Sequence, residues 1–129
     1  MVVNERVEVL VEEMAAGLDA WRRARAEVSE AVRRRDRAVA RAERKLAMAL
    51  GGMTLARWQR LTAGQASLRD PAVGRAVFLA RRNRPRAEAA LAELHQVRVV
   101  EAAKVAAAEA ELDEAARRCS RWAGWLASE

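Results

Sequence analysis

Tyrosine is missing from this 129-residue chain, phenylalanine, histidine and cysteine occur once each, and proline occurs twice. Each shortage excludes something. One cysteine, Cys119, forbids an internal disulfide and fits a reducing compartment. With so few aromatics and turn formers, a β-sandwich or barrel has neither its strand residues nor its turns. No stretch approaches the roughly 18 uncharged apolar residues of a membrane span. Met1-Val2-Val3-Asn4-Glu5 lacks the basic-then-apolar order of a secretory signal, so a soluble cytoplasmic protein without a membrane span is expected.

Chemistry is equally scarce. His95 stands alone, and no His/Cys spacing suits zinc, no Glu-x-x-His pair suits a di-iron bundle, and no glycine-rich loop suits a phosphate. Glu109, Glu111, Asp113 and Glu114 spread around a single helix and are read as a solvated face. The expectation is a non-enzymatic protein without cofactor or metal.

What is abundant is alanine, at 31 residues, and arginine, at 22 against two lysines. Both favour helix. A 4,3 spacing runs through Val7, Val11, Met14, Leu18, Trp21, Arg25, Val28, Val32, Arg35, Val39, Ala42, Leu46 and Ala49, which is a heptad seam. Asn4 is a candidate N-cap and Gly51-Gly52 a stop, predicting a long helix over about 5–50. A second seam, Ala87, Leu91, Leu94, Arg98, Glu101, Val105, Ala108, Leu112, Ala115, Cys119, Trp122 and Leu126, predicts another over about 85–127, with Pro85 in its first turn. Between them, 51–84 holds two short helices: one capped by Thr54, carrying Leu55, Trp58 and Leu61 and stopped by Gly64, and one opened by Asp70-Pro71, carrying Val73, Val77 and Leu79 or Phe78. The pattern spells a single all-α domain over 1–129, a coiled-coil-like antiparallel hairpin of two long helices with two short helices at its tip. Leu10, Ala24, Ala31 and Ala38 broaden the first seam, and Val97, Val99, Val100, Ala103 and Ala107 the second. Such breadth asks for further helical partners, which a homodimer forming a four-helix bundle would supply.

Charge is segregated along the chain. Residues 22–86 carry a net +13 and the remainder −7, which together make the net +6. A merely solvated helix surface mixes signs, whereas here the arginines gather towards the tip. Arg33, Arg34, Arg37, Arg41 and Arg44 on the first long helix, Arg57, Arg60, Arg75, Arg81 and Arg82 in the tip, and Arg84 and Arg86 at the start of the last helix form a candidate polyanion surface. Guanidinium groups pair two phosphate oxygens at once, and release of condensed counterions drives such binding. The competing explanation for the arginine count is coding bias that fills exposed helix positions. A helix-turn-helix reader is disfavoured, because Gly64 to Asp70 is too long for its turn. Trp58 and Phe78, the aromatics near the tip, both sit at core spacing.

Arg35, Arg98 and Glu101 interrupt the seams. Pairing Val7 with Leu126 places Arg35 near Arg98 and Glu101, so an Arg35–Glu101 or Arg98–Glu101 ion pair would set register. Gly17 leaves room for a bulky neighbour such as Trp122. Trp21, Trp122 and Trp125 are read as packing or dimer contacts. The expected function is docking of the arginine-rich half on a polyanion, most concretely nucleic acid. The alternative is a protein–protein adaptor or assembly subunit that orients acidic protein surfaces by its bipolar charge.

Overall fold

The computed structural model describes residues 2–64 and 71–128, with side chains described for 5–64 and 71–121. Those residues form four helices and no strand: α1 (Val2–Ala49), α2 (Leu55–Thr62), α3 (Pro71–Arg82) and α4 (Arg84–Ser128). α1 packs against α4, giving the expected helical hairpin. No described helix is long and apolar enough to cross a membrane.

Local signals account for most of the boundaries. Gly51 and Gly52 end α1 at φ +61° and +84°, a conformation that residues bearing a Cβ resist. Thr54 caps α2, its side-chain oxygen accepting from the Arg57 amide at 3.2 Å. Only Asn83 separates α3 from α4. Its amide donates to the Leu79 carbonyl and its carbonyl accepts from the Ala87 amide, so the ladder carries across the joint. α1 begins at Val2, ahead of Asn4, so Asn4 is not the cap; helix ends vary by a residue or two where first-turn amides face water. The proposed cap Asp70 lies outside the described residues.

The chain divides into two compact units, one comprising 1–35 with 101–129 and the other 36–100. In the 36–100 unit, Ala42, Leu46, Ala49 and Leu50 of the first long helix and its end meet Ala87, Ala90 and Leu94 of α4. Trp58 and Leu61 of α2 and Val77 and Ala80 of α3 complete that core. The Trp58 indole N–H donates to the Ala80 carbonyl at 3.3 Å, satisfying a carbonyl at the end of α3 that the helix itself leaves unpaired. Phe78 and Leu79 are not core residues, with 64% and 51% of their surface exposed. Helical geometry puts Val77 and Ala80 on one face of α3, and that face alone is covered by α2.

The other unit is sparser. Among its described residues only Ala24, Val105 and Ala108 are buried. The α4 seam lies where the heptad reading places it, with Leu112, Ala115 and Cys119 half-buried, and the α1 seam holds in part, with Met14, Trp21, Val28 and Val32 half-buried. Val7, Val11 and Leu18 are 51%, 60% and 45% exposed, while the small residues Gly17, Ala20, Ala24 and Ala31 turn inward. Small side chains let two helix backbones approach closely, and the Cys119 thiol comes within 3.8 Å of the Gly17 carbonyl. In the 36–100 unit the corresponding larger residues, Val39 and Leu46, join the core because α2 and α3 add a second layer there.

Register also differs from the Val7–Leu126 alignment, which would set Gly17 opposite Ala116 and Lys45 opposite Glu88. Gly17 instead meets Cys119, and Lys45 meets Glu93, a displacement of about one helical turn. The register-setting pairs therefore change. Arg98 is exposed and reaches Glu43 at 3.5 Å, and Glu101 pairs with Lys104 at 3.2 Å. Arg35 is half-buried in the unit that holds Glu101.

Candidate nucleic-acid interface

The division into units overlaps the division of charge in part. Residues 36–100 carry 13 basic against five acidic groups, a net +8, and the remaining residues carry 11 against 13, a net −2. Ten of the twelve arginines singled out from the sequence belong to the basic unit. Arg33 and Arg34 belong to the other, where both pair with Glu30, at 3.8 and 3.4 Å.

Within the basic unit the carboxylates are spent on particular partners. Glu43 holds Arg98, Glu93 holds Lys45 at 2.9 Å and Glu88 holds Arg84 at 2.8 Å. These are exposed pairs, each worth under about 1 kcal/mol. Their consequence is stoichiometric: among the described residues no carboxylate pairs with Arg41, Arg44, Arg57, Arg60, Arg75, Arg81, Arg82 or Arg86. All eight of these side chains are exposed.

Helix geometry arranges them. Arg37, Arg41 and Arg44 recur at i, i+4 and i+7 and form one stripe on α1, continued by Met48. Lys45, Met48, Arg86 and Glu93 line a shallow groove between α1 and α4. Arg57 and Arg60 stand one turn apart on α2, whose opposite side is held by Trp58 and Leu61. On α3, Arg75, Arg81 and Arg82 share the helix face of the exposed Phe78. Phe78 is thus a surface residue and not the core residue its spacing suggests, since the arginines on its face keep that face in water.

The three tryptophans outside the tip are distributed differently. Trp21 is half-buried, with the Arg25 guanidinium stacked over its ring at 4.9 Å from the centroid, so Arg25 is a surface residue. The side chains of Trp122 and Trp125 lie outside the described residues, and the neighbour found at Gly17 is Cys119.

The acidic residues of α4 do not share one role. Glu114 pairs with Arg117 and Arg118, and the Arg117 hydrogen bond and charge hold its carboxyl below the usual 4.5. Glu111 faces Glu27 of α1, and the shared side-chain hydrogen bond, then mutual repulsion, hold its carboxyl above 4.5. No group of three or more described His, Cys, Asp or Glu side chains forms a metal cradle. The raised Glu111 value has a definite sign in stability. The folded chain holds this proton more tightly than the unfolded chain, so the contribution is complete below pH 4.5 and is lost as pH rises through the raised value. Glu114 acts oppositely, its contribution being present above 4.5 and lost as pH falls. The difference in melting temperature between the parent chain and Glu111→Gln should therefore favour the parent most in acid and shrink towards neutrality. A difference independent of pH would remove Glu27 as the cause.

No family model, curated protein or solved structure matches the chain.

Proposed function

We propose that the protein is a non-enzymatic binding protein whose 36–100 unit docks on a polyanion, most concretely nucleic acid held through its phosphates. The observation that carries this is the set of eight exposed arginines left without a carboxylate partner among the described residues. A helix surface evolved for solubility alone gains from interleaved signs, whereas unpaired guanidinium groups repel one another until an anion arrives. Phosphates fit them in geometry and charge, and counterion release supplies the free energy.

The test is fluorescence anisotropy of labelled oligonucleotides across a salt series. If about half of the eight arginines engage together, log K against log salt should fall with a slope of about −3 to −4. Replacing Arg75, Arg81 and Arg82 by Gln should flatten that slope by about 2 to 3 without changing the melting temperature. Binding weaker than about 10⁻⁴ M at physiological salt would overturn nucleic acid as the partner.

A second reading, assembly through the other unit, is favoured by the exposure of Val7, Val11 and Leu18 along one side of α1. A second copy laid on that stripe would give it the cover that α2 and α3 give Val39 and Leu46. Sedimentation equilibrium tests it: a dimer that Leu18→Glu converts to monomer supports the reading, and a monomer at all accessible concentrations removes it.

A further inference from the structure

We infer that Phe78 is a base-stacking platform, and that the basic unit therefore takes single-stranded nucleic acid in preference to duplex. The inference rests on phosphate docking by the same arginines and adds to it the class of strand. Of the two aromatics near the tip, Trp58 is buried and committed to the Ala80 carbonyl, whereas Phe78 is 64% exposed. An isolated exposed aromatic is ordinary; this one has a composed surround.

Arg75, Arg81 and Arg82 stand at i−3, i+3 and i+4 from Phe78, so three arginines share its helix face. None has a carboxylate partner among the described residues, and α3 contains no acidic residue at all. The fourth neighbour, at i−4, is Gly74. A glycine inside a helix is unfavourable relative to alanine. A Cβ at Gly74 would meet nothing within 4 Å, so packing does not require the glycine. Its absent side chain leaves open space one turn from the ring on the same face. An exposed flat ring, cations on the same helix face and open space at Gly74 are the parts used where single strands are bound without sequence readout. In a duplex the base faces are already stacked, and Phe78 has nothing to add.

Three probes of equal length separate the possibilities: a labelled single strand of thymidines, the same strand without bases, and a duplex. Phe78→Ala should weaken binding to the thymidine strand on the order of 5- to 150-fold while leaving the abasic strand and duplex unchanged. Phe78→Trp should restore it, and Gly74→Leu, which fills the open space, should weaken it. Since Phe78 is exposed, unchanged melting temperatures are expected for its variants. An equal loss on all three probes, or no loss on any, overturns stacking and leaves phosphate docking in place. Failure of the parent chain to bind any of the three overturns phosphate docking itself, as does binding of an acidic amphipathic peptide in their stead.

Discussion

Trp58→Ala should destabilise the 36–100 unit by about 3–5 kcal/mol. The indole is the largest side chain in that core, and it joins α2 to α3, α1 and α4 together. Truncation removes its dispersion contacts and leaves a cavity among alanines too small to collapse into it. It also leaves the Ala80 carbonyl without its donor. Because a whole domain is stable by only about 5–15 kcal/mol, a loss of this size consumes much of the total. Hydrogen exchange should show it first in α2 and α3, whose amides would lose protection before those of the 1–35 and 101–129 segments. Nucleic-acid binding should fall with it, since α2 and α3 carry Arg57, Arg60, Arg75, Arg81 and Arg82. Trp58→Phe, which keeps most of the ring and loses the N–H, should cost about 1 kcal/mol, and a cost as large as that of alanine would show that the hydrogen bond dominates. Unaltered exchange in both short helices after Trp58→Ala would contradict the packing described above.

Ala87→Leu should be comparably damaging for the opposite reason. Ala87 has no exposed surface and belongs to the core in which α4 meets the first long helix. Three added carbons have no cavity to enter, so the helices must separate, at a cost of about 1–3 kcal/mol. Ala89→Leu, two residues along on the exposed side, supplies the control and should change stability by less than about 0.5 kcal/mol. Chemical denaturation distinguishes the two. A loose helix pair would instead accept Leu at 87 with a gain in stability.

The same small residues explain what was and was not readable in advance. Ala87, Leu94, Val105 and Ala108 were marked as buried by the α4 heptad, because α4 has one dominant apolar stripe. α1 has two adjacent stripes, one of valine and leucine, the other of glycine and alanine. The larger residues make the stronger periodic signal, and Met14, Val28 and Val32 are half-buried as it predicts, yet Gly17 and Ala24 also face α4 while Val7 and Val11 remain exposed. Burial of a face depends on what can approach it, a property of both partners, and hydrophobic spacing on one helix does not contain it. The register error has the same origin: Lys45 finds Glu93 because the Gly51 to Thr54 turn and the two short helices set the alignment, a geometry that matching of chain ends cannot supply. Phe78 is exposed because its face of α3 also carries Arg75, Arg81 and Arg82, while Val77 and Ala80 form the apolar face that packs; spacing counted without those arginines does not separate the two.

The sequence by itself determined the all-helical class, the four helices and nearly all their ends, because capping by Thr54, left-handed glycines at 51, 52 and 64, and the placement of Pro71 and Pro85 act within a few residues of chain. It also determined the amount of positive charge and its concentration between residues 22 and 86. Tertiary structure alone decided that Lys45 and Arg98 find Glu93 and Glu43 on the opposite long helix, that Val7, Val11 and Leu18 of the α1 seam stay exposed, and that Trp58 is enclosed while Phe78 stands outside. Those outcomes depend on residues far apart in the chain meeting in space, where packing of one helix on another outweighs the preference of either alone.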